Sequence, residues 1–469
     1  MKTLLKPLFL ALLVAATLPM QSAYIQTSLP SDTIPAIGPS SQFCKAIGGE
    51  DDDVGYSLIQ TSDGGYAIAG ATKSFGAGDW DAYVVKLDAN GNLQWTKTIG
   101  GPASDDGGPL IQTSDGGYAI ASYTESFGAG KMDVYVIKLD ASGNLQWTKT
   151  IGGKKEDMGL MSLIQTSDGG YAIAGSTRSF GTGEWDVYVV KLDAKGNLQW
   201  TKTIGGKKED VGTSLIQTSD GGYAIAGSTR SFGTGEWDVY VVKLDAKGNL
   251  QWTKTIGGPG YEIGNSLIQT SDGGYAIAGY TTSFGAGDRD VYVVKLDANG
   301  NLQWTKTIGK PTIEEGNSLI QTSDGGYAIA GYIGSFYTSR DYFLDFYVVK
   351  LNANGNLQWT ITTPPEPRAI REEGHSIIQT SDGGYAIAGC IYFFGEGELD
   401  VYIVKLDKND PDENDDACCA FSYTAFGLTP QVGSGGRLGS PTSSIGSGGT
   451  LTAPTPRISS GGTLTNQCP

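Results

Sequence analysis

The sequence predicts an all-β fold: a seven-bladed β-propeller of four-stranded blades, its ring closed by an N-terminal strand that completes the last blade. Three observations predict it. The phrase Ile-Gln-Thr-Ser-Asp-Gly-Gly-Tyr-Ala-Ile-Ala occurs seven times, from Ile59, Ile111, Ile164, Ile216, Ile268, Ile320 and Ile378, at spacings of 52, 53, 52, 52, 52 and 58 residues. A fixed period near 50 residues with strand-like content marks a repeat architecture. The phrase Asp-x-Tyr-Val-Val-Lys-Leu, with Ile for one Val in two copies, also occurs seven times, from Asp81, Asp133, Asp186, Asp238, Asp290, Asp345 and Asp400. A Trp-bearing strand occurs only six times, at Trp95, Trp147, Trp200, Trp252, Trp304 and Trp359, and a spare copy of it stands at the other end of the chain.

Within one unit, Tyr56–Thr61 is a short β-branched and apolar run. Ser62-Asp63-Gly64-Gly65 is a tight turn in which glycine supplies positive φ without strain. Tyr66–Ala69 alternates in the manner of a strand. Ser74–Asp79 is a Gly-rich loop, and Asp81–Leu87 a third strand rich in Tyr and Val. Asp88-Ala89-Asn90-Gly91-Asn92 contains the Asn-Gly hairpin signal. Leu93–Ile99 is the fourth strand, carrying Trp95. No stretch inside the repeats has a helical period.

The last unit stops after its third strand, at Asp407. Phe43-Cys44-Lys45-Ala46-Ile47-Gly48-Gly49 matches Trp95-Thr96-Lys97-Thr98-Ile99-Gly100-Gly101 position by position, with Phe43 in place of Trp. A strand contributed from the N-terminus closes the ring and removes the exposed edges of an open array. A buried Trp covers about 150–250 Å², roughly 4–6 kcal/mol of gross apolar burial, so these aromatics are expected to clasp the blades.

The order Gly-Gly, acidic residue, Gly, apolar strand, Asp-Gly-Gly turn, Tyr-Ala-Ile-Ala-Gly and Asp-x-Tyr-Val-Val-Lys-Leu-Asp resembles the secreted β-propeller repeat of bacteria and archaea, over residues 42 to 407. A weaker resemblance is to kelch repeats, which expect Gly-Gly after the second strand, where this chain has Ala69-Gly70-Ala71. The strand-swapped closure is similar to that of WD-repeat rings, although no Trp-Asp pair ends the blades. The resemblance implies a binding platform, since the fold itself implies no reaction.

Met1-Lys2-Thr3-Leu4-Leu5-Lys6, an apolar run from Leu8 to Leu18 and Gln21-Ser22-Ala23 read as a signal peptide over residues 1–23. A linker is expected over 24–41, the propeller over 42–407, an acidic Cys-containing linker over 408–431, and a Ser/Thr/Gly/Pro-rich tail over 432–469. Nothing is long and apolar enough to span a bilayer, so the expectation is a secreted or cell-surface protein. Formal charge is −17; without Lys2 and Lys6 it is −19, 31 basic residues against 50 acidic. That balance disfavours nucleic acid and anionic membrane as partners. It suits solubility, and equally cation binding.

Five cysteines are too few for a disulfide framework. Export permits oxidation, and a bridge from Cys44 or Cys390 to Cys418 or Cys419 would pin the tail to the closing blade. The odd count leaves one thiol over. The single histidine, His375, reads as an ordinary loop residue, and one histidine all but excludes Ser-His-Asp, Cys-His and multi-His metal catalysis.

Each blade carries an acidic residue two positions before the Gly that leads into its first strand: Asp53, Asp105, Asp157, Asp210, Glu262, Glu314 and Glu372. With that strand innermost, the seven carboxylates would ring one mouth of the central channel. They would then either hold a cation such as Ca²⁺ or accept hydrogen bonds from loop backbone; repetition in all seven blades favours structure. In the loop between second and third strands, Trp80, Trp185 and Trp237 stand beside acidic residues, a pairing suited to sugar binding or to packing between blades. Blades five to seven have Arg289, Leu344 and Leu399 there. Two stretches, 162–206 and 214–258, are identical, whereas an asymmetric site needs blades that differ. The largest departures are Tyr337–Phe346 and Pro364–Glu373, in blades six and seven.

Asp410, Asp412, Asn414 and Asp416 offer oxygens at alternate positions, as a calcium loop does, but lack its Gly and distal Glu. A solvated acidic linker is the competing reading. The tail repeats at 13 residues, from Val432, Ile445 and Ile458, and has little to bury, so it reads as an extended stalk or a partner-docking segment. Taken together, these features predict a non-enzymatic exported scaffold that binds an extracellular protein or glycan, with no cofactor unless Ca²⁺. The alternative is a lectin or carbohydrate-active enzyme using the loop tryptophans and carboxylates.

Overall fold

A computed structural model describes residues 43–336, 342–362, 371–392 and 399–407, together with the backbone of seven short tail segments between 422 and 466. Seven antiparallel sheets follow one another around a ring. Blade one shows the pattern: Asp53–Gln60, Tyr66–Thr72, Asp81–Leu87 and Leu93–Gly100 pair in chain order. First strands of neighbouring blades approach one another around the axis, so they are innermost. The Asp-Gly-Gly turn reverses the chain between first and second strands: the Thr61 N–H donates to the Gly65 carbonyl at 2.9 Å, and Gly64 takes φ of +82°.

The ring closes as the strand count requires. Phe43–Gly48 pairs antiparallel with Leu399–Leu406, in register Phe43↔Lys405 to Ile47↔Val401, and supplies the outer strand of blade seven. Blade two departs from the pattern. Its inner strand is only Leu110–Gln112, because Pro109 has no N–H for the ladder and Gly107 and Gly108 precede it. In blade six the hairpin of Tyr327–Phe336 and Tyr342–Leu351 runs ten residues a side instead of seven. The Pro364–Glu373 departure lies mostly outside the described residues.

Between blades, the middle strands supply a continuous apolar layer. The Tyr-Ala-Ile-Ala strand of one blade and the Tyr-Val-Val strand beside it bury every side chain. The outer-strand aromatic of each blade meets the Tyr of the next edge-on: Trp95 meets Tyr118 at 5.7 Å between centroids, and five further Trp–Tyr pairs repeat this. These Trp rings are half-buried, so their burial contributes less than a fully buried Trp would. Polar links run alongside. The Ser57 hydroxyl accepts from the Leu110 N–H at 3.0 Å, and Ser376 of blade seven accepts from the Leu58 N–H of blade one at 3.1 Å.

The tail does not stand off as a stalk. Seven segments add a fifth, outermost strand to the seven blades in turn. Ser422–Tyr423 joins blade six, Gln431–Gly433 blade five, Arg437–Gly439 blade four and Ser444–Gly446 blade three; Thr450–Thr452, Arg457–Ser459 and Thr463–Asn466 join blades two, one and seven. One 13-residue repeat therefore covers two blades. The physical reason is the open edge that a four-stranded blade presents: a three-residue Gly-flanked strand satisfies its backbone groups without needing a core of its own.

Candidate functional site

The repeated polar residues are consumed by blade construction. In each blade a buried lysine of the third strand, Lys86 in blade one, donates to the turn aspartate Asp63 at 3.2 Å and to the Leu87 carbonyl at 2.8 Å. Partial burial opposes ionisation of Asp63, but the Thr61 hydroxyl, Lys86 and the Gly65 N–H outweigh it and bring the carboxyl down to about 2. The same holds for Asp115, Asp168, Asp220, Asp272 and Asp324.

The seven carboxylates expected at a channel mouth lie buried at the blade junctions, and six of them bond to backbone N–H and hydroxyl groups of their own junction. Asp210 is representative. Its Oδ2 accepts from the Gly206 N–H and the Ser231 hydroxyl, each at 2.7 Å, and its Oδ1 accepts from Thr229. Gly206 follows the outer strand of blade three, so the carboxylate staples that blade to blade four. Asp53, Asp105 and Asp157 take the equivalent Gly N–H and Ser hydroxyl. Glu262 takes the Gly258 N–H and the Thr281 hydroxyl, and Glu314 the Lys310 N–H and the Thr312 hydroxyl. Glu372 is buried at the same station. Asp410, Asp412, Asn414 and Asp416 lie outside the described residues.

Trp80, Trp185 and Trp237 are half-buried at the junction loops, and a cation of the same blade covers each ring. Lys73 Nζ stands 4.5 Å from the Trp80 ring, and the Arg178 and Arg230 guanidinium carbons stand 4.7 and 5.6 Å from Trp185 and Trp237. Their backbone carbonyls accept from the Asp105, Asp210 and Glu262 N–H groups of the following blades. The three tryptophans sit in separate junctions and do not form one platform. Beside Trp185, a cleft of about 580 Å³ opens between the loops of blades two and three, lined by Lys131, Lys154, Lys155, Glu156, Arg178, Gly183 and Glu184. Lys131 stands where four other blades have Asp79, Glu184, Glu236 or Asp288, which makes the cleft a basic place on an acidic chain.

The second non-repetitive region is axial. The inner strand of most blades carries a β-bulge whose extra residue the repeat does not fix: Tyr56, Thr213, Asn265, Asn317 and His375, four residue types in five blades. Asn265 and Asn317 each donate to the bulge glycine carbonyl of the next blade, Gly316 and Gly374, at 3.0 Å, and Thr213 reaches Gly264 at 2.5 Å. In blades five and six, Arg289 pairs with Glu315 and lies 4.9 Å from the Tyr280 ring. Burial pushes Asp106 of blade two up to about 7. In blade seven, His375 is not a loop residue: it sits on the bulge of Glu372–Gln379, beside Glu373 and Cys390. Burial pushes the Cys390 thiol up to about 12 and the His375 imidazole down. Cys390 is a free, buried thiol. Cys44 is buried, its Sγ 3.2 Å from the Tyr402 hydroxyl; Cys418 and Cys419 lie outside the described residues. Motif matching missed the axial set because it looks for residues that recur. The signal was there in the converse, the few inner-strand positions that change while both neighbours stay fixed.

Among the described residues, no helix is long and apolar enough to cross a membrane. Comparison with known proteins bears on the middle of the chain. Residues 130–339 match a family described as outer membrane protein assembly factor BamB. The chain is 29% identical over 210 residues to regulatory protein FlaEY of Caulobacter vibrioides, which is 40% of this chain and 22% of that protein, so it spans about a fifth of that relative's length. Among solved structures, a protein of unknown function from Bacteroides caccae aligns at 13% identity over 57% of this chain and 93% of that one, with a TM-score of 0.35. An endo-1,5-alpha-L-arabinanase from Thermotoga petrophila aligns at 13% identity over 78% and 99%, with a TM-score of 0.30. At these scores the structural likenesses assign no activity. The chain is a seven-bladed β-propeller whose middle blades are similar to the BamB-type repeat.

Proposed function

We propose that the protein is an exported, non-enzymatic scaffold that binds an anionic extracellular ligand on the loop face of blades two and three. The observation that supports this reading is the cleft beside Trp185. It gathers Lys131, Lys154, Lys155 and Arg178 on a chain of net charge −17. Glu156 already engages Arg178 at 2.6 Å, which leaves Lys154 and Lys155 for an incoming carboxylate, sulfate or phosphate. The resemblance to BamB-type repeats agrees with a binding role, and the basic n-region and apolar run of residues 1–23 support export. A second reading, an acidic-glycan lectin or carbohydrate-active enzyme, is favoured by Trp185 itself, whose ring lies against Arg178.

The test is a glycan array that includes sulfated and uronic-acid glycans, run alongside acidic peptides and followed by hydrolysis assays on any ligand found. A scaffold binds without turnover and loses at least tenfold in affinity when Lys154 and Lys155 are both changed to Glu. Turnover abolished by a single carboxylate change would establish the enzyme. Binding that ignores the double charge reversal would remove the cleft from the reading. N-terminal sequencing of secreted material should begin within a few residues after Ala23; an intact Met1 in a cytoplasmic fraction would contradict export.

A further inference from the structure

We propose that Glu373, His375 and Cys390 form a binding site for a borderline divalent transition-metal ion of the zinc class, set in the inner half of blade seven and independent of the loop-face cleft. The three ligand atoms lie within 4.8 Å of one another. His375 Nε2 is 3.7 Å from Cys390 Sγ and 3.5 Å from Glu373 Oε2. A tetrahedral ion with metal–ligand bonds near 2.0–2.3 Å spaces N, O and S ligands about 3.4–3.6 Å apart. The observed separations are therefore close to two edges of such a tetrahedron.

Backbone geometry brings the three together. Glu373 and Cys390 are directly opposed across the strand pair, the closest cross-strand relationship on a sheet face. His375 is the extra residue of the bulge between Gly374 and Ser376, and a bulge re-aims the side chain it carries. The imidazole is fixed further by the Tyr56 ring of blade one, edge-on at 5.7 Å. Arg371 Nε donates to Glu373 Oε1 at 2.6 Å, which leaves Oε2 turned toward the imidazole. Ligating carboxylates are commonly oriented in this way by an outer partner.

Two alternatives fit less well. In a Cys–His nucleophilic pair the thiol and the orienting carboxylate use different imidazole nitrogens, whereas here both approach Nε2. Nor does blade construction call for these residues. The equivalent positions hold Val54, Tyr56 and Ala71 in blade one, and Val211, Thr213 and Ser228 in blade four. The mixed nitrogen, sulfur and oxygen set selects zinc-like ions over calcium or magnesium, which take oxygen ligands.

The experiment uses the full mature chain, tag-free and stripped with chelator, titrated with Zn²⁺ and separately with Co²⁺. One tight equivalent of Zn²⁺ per chain is expected, together with a thiolate-to-cobalt charge-transfer band on Co²⁺ addition. Cys390→Ser should abolish the band, and His375→Ala should weaken Zn²⁺ binding at least tenfold, each with the native circular dichroism. Because the cobalt spectrum is read on the unaltered protein, it stands even where a variant fails to fold. Absence of the thiolate band in the folded protein would overturn the proposal. So would Zn²⁺ binding of unchanged affinity in both variants, which would place the ion on the acidic surface.

Discussion

Phe43, near the start of the described chain, stands edge-on to Tyr66 with ring centroids 5.6 Å apart and 72° between planes. Trp95 makes the same contact with Tyr118 at 5.7 Å and 73°. The closing blade thus copies the interior junctions with a smaller ring. Gly91 packs on the Phe43 ring at φ of +76°, as Gly143 packs on Trp95, and a Cβ at either would crowd the aromatic. Phe43→Ala should cost about 2 kcal/mol, below the range for a fully buried Phe because this ring is half-buried. Phe43→Trp should be tolerated. Deleting residues 41–49 should lower the melting temperature far more, since it removes a whole strand; an unchanged melt in that deletion would contradict closure.

The junction carboxylates should matter more than the ion pairs beside them. Asp210→Ala leaves the Gly206 N–H and the Thr229 and Ser231 hydroxyls without their acceptor, at about 1–3 kcal/mol for a buried unpaired group. Glu209→Ala breaks an exposed pair with Arg230 and should cost below about 1 kcal/mol. Urea denaturation of the two variants gives the comparison, and equal losses would refute the staple.

Stability should peak in mild acid. Burial raises Glu314 and Asp106 to about 7 and Asp345 to about 6. The folded state therefore binds these protons more tightly than the unfolded chain, and stability rises as pH falls from about 8 toward about 4. The turn aspartates act in the opposite sense. Held at about 2 in the fold, they contribute in full above about 3.9 and lose that contribution as pH falls toward 2. Calorimetric melts should show a maximum between about pH 4 and 5, and Asp106→Asn should flatten the limb above it. A maximum at neutral pH would be the contrary result.

The outer tail strands should protect the ring's perimeter. Removing residues 431–469 takes away the strands on blades five, four, three, two, one and seven and exposes outer-strand edges to pairing between molecules. The propeller should stay folded, with faster hydrogen exchange at outer-strand amides and self-association that grows with concentration in sedimentation experiments. A monodisperse truncated ring with unchanged exchange would show that the tail covers nothing of consequence.

The sequence by itself determined the blade count, the strand order and the closure. Period, turn chemistry and the mismatch between seven third strands and six Trp strands are all local or countable. It also carried both readings of the seven acidic residues, because spacing shows that a residue recurs but not what it touches. Only the tertiary structure decided that Asp210 faces Gly206, Thr229 and Ser231 rather than an open channel. The tail escaped the sequence reading for a related reason: its Gly-rich segments have no core of their own, and the edges they pair with exist only once the ring is built. His375 and Cys390 are 15 residues apart, and no spacing rule joins them. A β-bulge on one strand and a cross-strand register on the next bring their side chains together, and that coincidence is set by the folded sheet.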